Sequence, residues 1–105
     1  MIGQLEDQTV IKGNDLIFEI EIMGNPMPTV QWLKGENEIL MGDKYCLSFL
    51  NKKATITIKD TTIEDSGNYK IVVTNLMGSA SSNANAKILG KLPHFLICHT
   101  QGKRF

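Results

Sequence analysis

The stretch Asp65-Ser66-Gly67-Asn68-Tyr69-Lys70-Ile71 joins a polar corner to a run in which side chains alternate between apolar and polar. Tyr69, Ile71 and Val73 fall on one side of this run, and Lys70 and Thr74 fall on the other. A period of two residues is typical of a half-buried β-strand. The stretch therefore predicts a tight corner that leads directly into a core strand.

The same alternation recurs along the chain in short runs that are separated by turn residues. The inward-facing positions of these runs are Val10; Leu16, Phe18, Ile20 and Ile22; Val30 and Trp32; Tyr45, Leu47 and Phe49; Ala54, Ile56 and Ile58; and Ala80, Ser82, Ala84, Ala86 and Ile88. We expect seven to nine strands, including a very short one at Ile39-Leu40 and a turn at residues 51–53. This spacing predicts an antiparallel all-β sandwich or barrel.

Helical periodicity is confined to the polar corner of residues 60–67. Thr61 and Glu64 have the spacing of a capping box, which supports one helical turn at most.

The chain has 105 residues, of which 42% are hydrophobic, and this is the size of one domain. We assign residues 1–90 to the domain and expect 91–105 to be a tail, either disordered or a cloning-derived extension.

Charge divides the chain into two parts. Residues 1–90 carry eight lysines against eleven acidic residues, whereas residues 91–105 carry three cations and no acid. A mildly acidic body argues against nucleic acid as a partner. The sequence holds no apolar run of the roughly 18 residues needed to span a membrane, and its first residues do not form a signal peptide. We therefore expect no membrane partner.

Catalytic and metal-ligating residues do not converge in this sequence. Both histidines, His94 and His99, fall in the tail, and a metal site needs three or four ligands in defined geometry. Phosphate-binding glycine motifs are also missing from the sequence. We expect no enzymatic activity, no cofactor and no metal.

Several linked motifs resemble those of the immunoglobulin superfamily, and of its intermediate set (I-set) in particular. Gly24-x-Pro26-x-Pro28-x-Val30-x-Trp32-x-Lys34 resembles the turn and strand that carry the core tryptophan of that family. Asp65-x-Gly67-x-Tyr69 resembles its tyrosine corner, residues 54–58 resemble its fifth strand, and residues 75–78 resemble its last hairpin turn. The resemblance covers roughly residues 4–90 and implies a two-sheet antiparallel Greek-key immunoglobulin-like sandwich.

Isoleucines stand at the two positions where the family usually has its intersheet disulfide. Ile71 follows Tyr69 by two residues, and Ile20 precedes Trp32 by twelve. A disulfide contributes about 2–4 kcal/mol, and burial of an isoleucine contributes about 1.5–3 kcal/mol, so packing of Ile20 and Ile71 against each other and Trp32 can offset the missing bond. Disulfides are unreliable in reducing compartments. We read the replacement as intracellular, although some secreted immunoglobulin-like domains also lack the bond.

The resemblance also implies a set of structural residues. The predicted core comprises Ile20, Trp32, Leu47, Ile56, Tyr69 and Ile71. The predicted corner comprises Lys44, Asp65, Gly67 and Tyr69, with the Tyr69 hydroxyl bonded to backbone a few residues upstream. Lys44 is expected to pair with Asp65 and pin the corner, against the alternative of a solvated surface pair worth under about 1 kcal/mol. Cys46 on an outer face and Cys98 in the tail are expected to be free thiols.

Within the I-set, the motifs are most similar to those of intracellular muscle and cytoskeletal proteins. This implies a structural and protein-binding module of a multidomain cytoskeletal or sarcomeric protein, in the cytoplasm and monomeric as an isolated domain. The partners so implied are other proteins, among them myosin, actin or neighbouring immunoglobulin or fibronectin domains. The alternative is an extracellular adhesion or receptor domain. The sequence does not select a binding surface, but outward-facing Ile17, Leu33 and Val72 are candidates for an apolar patch.

Overall fold

The computed structural model describes residues 3–90, so the expected tail at 91–105 lies outside the described residues. Its strands are β1 (Gln8–Ile11), β2 (Leu16–Glu21), β3 (Thr29–Lys34), β4 (Asn37–Glu38), β5 (Tyr45–Leu50), β6 (Lys53–Ile58), β7 (Gly67–Asn75) and β8 (Gly78–Leu89). A 3-10 turn at Ile63–Asp65 lies between β6 and β7. No helix in the described part of the chain is long and apolar enough to cross a membrane.

The strands form two sheets that pack face to face. One sheet has the order β1-β8-β7-β3-β4, and the other has the order β2-β6-β5. Neighbouring strands are antiparallel except β1 and β8, which run parallel in the register Gln8↔Ala86 to Ile11↔Leu89. The predicted two-sheet sandwich is confirmed, and its one parallel pair joins the first strand to the last.

Alternation along each strand sends one set of side chains between the sheets. In β2 the even-numbered residues from Leu16 to Ile20 are buried and the odd-numbered residues are exposed. In β7 the odd-numbered residues Tyr69, Ile71 and Val73 are fully buried, with no exposed side-chain surface. Because these positions come from both sheets, the core is one continuous apolar layer.

Three local predictions from the sequence were misplaced by one or two residues. The short fourth strand is Asn37–Glu38 rather than Ile39-Leu40, because β3 turns back immediately after Gly35, whose φ is +61°. The capping residue of the 3-10 turn is Thr62 rather than Thr61. The hairpin turn after β5 consists of Asn51 and Lys52 alone, both at positive φ, so Lys53 already belongs to β6.

The proposed apolar patch of Ile17, Leu33 and Val72 is not one surface. Ile17 lies in β2, on the three-stranded sheet, and its side chain is 52% exposed. Leu33 and Val72 lie in β3 and β7 of the other sheet and are half-buried. Alternation in sequence cannot say which strands share a sheet, and the prediction was wrong for that reason.

Candidate functional site

The predicted core residues lie between the two sheets, and all of them except Leu47 are buried. Ile20, Trp32, Ile56, Tyr69 and Ile71 are all at most 3% exposed and belong to one buried cluster. Trp32 and Ile71 are direct neighbours across β3 and β7. Leu47 is only half-buried, because it lies in β5 at the edge of the three-stranded sheet.

An open cleft of about 180 Å³ lies between β3 of the five-stranded sheet and β5, an edge strand of the three-stranded sheet. Val30 and Trp32 of β3 line one side, and Leu47, Ser48 and Phe49 of β5 line the other. The cleft explains why Leu47 is less buried than the other predicted core residues. Its lining is mostly apolar and contains no titratable group.

The polar corner between β6 and β7 is held by a buried tyrosine. The Tyr69 hydroxyl donates a hydrogen bond of 2.5 Å to the carbonyl of Asp65, and the Tyr69 ring packs 5.6 Å from that of Phe18. Burial, followed by the electrostatic influence of Tyr45 and Asp65, raises the pKa of the Tyr69 hydroxyl. The hydroxyl therefore stays a neutral donor throughout the ordinary pH range.

The side chain of Asp65 also holds the corner together. Its Oδ2 accepts a hydrogen bond of 2.8 Å from the backbone N–H of Thr62 and lies 2.7 Å from Nζ of Lys44. Burial acts to raise the pKa of Asp65. The hydrogen bonds from Lys44 and Thr62, together with the charges of Lys44 and Lys34, outweigh burial and lower it below 3.8. The predicted partners thus lie in contact, and the carboxylate stays ionised.

Lys34 also serves the corner, and reasoning from the sequence missed it. Its Nζ donates to the carbonyl of Glu64 and lies 5.9 Å from the centre of the Tyr69 ring. Gly67 has a φ of +149°, and a Cβ there would lie 3.4 Å from Cε of Lys34. The only signal in the sequence was the lysine at the end of the tryptophan motif, but no spacing rule connects it to the corner.

Lys44→Met is expected to destabilise the domain by about 1 kcal/mol at neutral pH, since Lys44 is partly exposed while Asp65 is buried. Because the folded-state pKa of Asp65 is lowered, the ion pair stabilises the fold above the ordinary carboxyl pKa. That contribution is lost as the pH falls through the folded-state pKa. Thermal melts across acidic pH should therefore show the difference between Lys44→Met and wild type shrinking.

Lys59→Met is the matched control, because Lys59 is exposed and forms no ion pair within residues 3–90. It should melt like the wild type at each pH. A difference between Lys44→Met and wild type that stays constant from neutral pH into acid would contradict the proposed pinning of the corner.

The terminal strands form a second structural feature. Beyond the ladder of β1 and β8, the N–H of Lys12 donates to the carbonyl of Leu89 over 2.8 Å. Asp7 Oδ1 accepts from the N–H of Asn85 over 2.8 Å, and the N–H of Leu5 donates to Ser82 Oγ over 3.0 Å. These contacts attach the first segment of the chain to the last strand from residue 5 to residue 12.

The same segment also touches the opposite sheet. The N–H of Gly3 donates to the carbonyl of Glu21, at the end of β2, over 3.0 Å. Leu5, which is 5% exposed, then enters the core between the two sheets. The segment from residue 3 to residue 12 is thus attached to both sheets by hydrogen bonds and by burial.

Comparison with known proteins settles the family. The immunoglobulin I-set domain family matches residues 1–88. The chain belongs to the immunoglobulin I-set family. I-set domains are a non-catalytic class of module, and no group of three or more potential metal ligands occurs among residues 3–90 of this one.

The I-set domain is similar to domains of muscle proteins and of other long proteins. It is 33% identical over 88 residues to titin of Drosophila melanogaster, covering 84% of this chain and 0% of that protein to the nearest per cent. It is 35% identical over 77 residues to human hemicentin-1, covering 73% of this chain and 1% of that protein. The chain thus spans a very small part of these relatives.

Solved structures show the same likeness. The atomic-resolution structure of titin domain M7 has a TM-score of 0.81 with this I-set domain and 35% sequence identity. The alignment covers 84% of this chain and 91% of that one. The fold is therefore shared with a single domain of titin.

The free cysteine of the described I-set domain lies outside the core. Cys46 is exposed on β5, as its alternation with Tyr45 and Leu47 predicts. Within residues 3–90 the sheets are held together without a disulfide, and buried Ile20 and Ile71 stand at the two family positions. The cross-link has been replaced by apolar packing.

Proposed function

We propose that this I-set domain is a structural and protein-binding module of a multidomain cytoskeletal or sarcomeric protein, located in the cytoplasm. It acts as a spacer, a mechanical element or a docking surface for other proteins, such as myosin, actin or neighbouring immunoglobulin or fibronectin domains. The observation that carries this proposal is the parallel pairing of the first and last strands. The similarity to titin supports a location in muscle. The buried isoleucine pair in place of a disulfide supports a reducing compartment.

The parallel pair suits a chain that is pulled from both ends. Tension applied to residues before β1 and after β8 draws the two strands past each other in opposite directions. The inter-strand hydrogen bonds, which are evenly spaced in a parallel pair, are then loaded together rather than one after another. The bonds of Asp7 and Lys12 extend this shear-resistant ladder at both ends.

Asp7→Ala is expected to raise the rate of unfolding under force about fivefold, since it removes a bond of about 1 kcal/mol across the loaded strands. Single-molecule stretching of the chain between identical handles would measure this rate. Asp15→Ala is a matched control, because Asp15 accepts a hydrogen bond of 2.9 Å from the N–H of Asp60, away from β1 and β8. Equal effects of both variants on the forced unfolding rate would contradict a mechanical role for the terminal pair.

An extracellular adhesion or receptor domain is the second candidate, and the similarity to hemicentin-1 favours it. Expression of the fluorescently tagged chain in striated muscle cells tests the sarcomeric assignment. We expect regular cross-striations that align with one sarcomeric band. A uniform distribution like that of the tag alone would count against the sarcomeric role.

A further inference from the structure

The outer face of β4, β3 and β7 carries a row of three side chains that runs from negative through apolar to positive. Leu33 of β3 is paired directly with Glu38 of β4 and with Lys70 of β7. Residues paired across neighbouring strands project from the same face, and the adjacent Trp32 and Ile71 are buried on the other face. The row therefore points away from the core.

A second row lies one step further along the same strands. Gln31 is paired with Val72, and the N–H of Ile39 donates to the carbonyl of Trp32 over 2.8 Å. This bond continues the register of β4 and places Leu40 level with Gln31. Leu40 is 68% exposed, although it is apolar. The second row is therefore apolar at both ends and polar in the centre.

The two charges of the first row are available for a partner. Within residues 3–90 the ion pair is that of Lys44 with Asp65, so Glu38 and Lys70 form none there. They do not pair with each other in the structure, where two strand spacings separate their backbones by about 10 Å. An exposed carboxylate and a half-buried lysine thus flank Leu33 without compensating each other.

We propose that this face binds the same face of a second copy of the chain, about a two-fold axis that runs along β3. Such an axis exchanges the two ends of each row. Glu38 then faces Lys70 of the second copy, Lys70 faces its Glu38, and Leu33 packs on Leu33. In the second row, Leu40 faces Val72 of the second copy and Gln31 faces Gln31.

Charge complementarity favours a second copy over an unrelated partner. When the first row is reversed by the two-fold axis, its negative end lies opposite the positive end of the original row, and in both rows apolar residues lie opposite apolar residues. The shared area is small. Three neighbouring strands, taken over the six residues of β3, span roughly 14 by 20 Å. This area is well below the roughly 800 Å² per partner of a stable interface. We therefore expect weak, reversible self-association, which replaces the sequence-based expectation of a monomer. The inference deepens the docking part of the proposed function and rests on it.

Sedimentation equilibrium of the whole 105-residue chain, at concentrations up to about 1 mM, measures the association. Glu38→Lys should raise the dissociation constant about tenfold, because it sets two lysines against two others across the axis. Lys70→Glu should also raise the dissociation constant about tenfold, because it sets two carboxylates against two others across the axis. The double variant should return to within about threefold of wild type, since it restores both pairs in reverse.

An equimolar mixture of the two single variants gives a further test. Each should associate with the other more tightly than with itself, because the mixed pair brings two lysines against two glutamates. Glu19→Lys on β2 is the matched control, since it makes the same charge change on the outer face of the other sheet and should leave the association unchanged. Thermal melts confirm that every variant is folded.

A wild-type chain that stays monomeric throughout this concentration range would overturn the proposal. So would a Glu19→Lys variant as weak as Glu38→Lys, or a double variant that fails to recover. These failures are separate from failure of the proposed function, because cross-striation in muscle cells and resistance to force do not depend on self-association.

Discussion

Ile71→Ala is expected to lower the free energy of unfolding by about 2–5 kcal/mol. Ile71 has no exposed surface and is paired with Trp32, between two sheets that no disulfide joins within residues 3–90. Removing its outer carbon atoms loses apolar burial and leaves a cavity that close-packed strands fill poorly. Urea unfolding at equilibrium, followed by tryptophan fluorescence, would measure the change.

Ile17→Ala is the matched control, because it removes the same atoms from a side chain that is 52% exposed on β2. Its effect should stay within about 0.5 kcal/mol. Domains of this size typically have a total stability of about 5–15 kcal/mol, so Ile71→Ala removes a large fraction of the free energy of unfolding. Similar losses for the two variants would show that Ile71 does not replace the missing cross-link.

Tyr69→Phe is expected to lower the free energy of unfolding by about 1–3 kcal/mol. The change keeps the ring that packs on Phe18 but removes the hydroxyl that donates to Asp65. The carbonyl of Asp65 then loses its buried donor. Urea unfolding, with hydrogen exchange of the amides in residues 60–67, would show both the loss and its location.

Tyr45→Phe provides the comparison, because Tyr45 is half-buried and its hydroxyl forms no hydrogen bond in the described part of the chain. We expect it to change stability by less than about 0.5 kcal/mol. Faster exchange in residues 60–67 should appear for Tyr69→Phe alone. A Tyr69→Phe variant as stable as wild type would show that packing of the ring suffices to hold the corner.

Much of the fold was predictable because alternation of side chains is a local property. The inward residues of β2 and β7 could be read from their period of two, and the corner from its linked Asp65, Gly67 and Tyr69. Strand ends were less predictable. The short β4 is held by two residue pairs with β3. Both of its residues are polar, so β4 shows no alternation of apolar and polar side chains.

The contacts of the polar corner were predictable only where the family motif includes both interacting residues. Lys44 and Asp65 were expected to meet because the family resemblance connects them, although 21 positions separate them in the sequence. Lys34 was missed, since its contact with Glu64 arises from the way β3 ends beneath the corner. Long flexible side chains reach targets that depend on the packing of whole strands.

The sequence by itself determined most of the strand side chains that enter the core, because a strand's period of two sorts apolar from polar positions without reference to other strands. Leu5 lies outside the strands, so only the tertiary structure showed that it is buried. The sequence also determined that two isoleucines stand where a disulfide would be expected. Only the tertiary structure decided which strands are neighbours. Register across β4, β3 and β7 aligns Glu38, Leu33 and Lys70 in one row, and the parallel pairing of β1 with β8 joins the ends of the chain. Both depend on hydrogen bonds between residues that are distant in sequence, which no local pattern records.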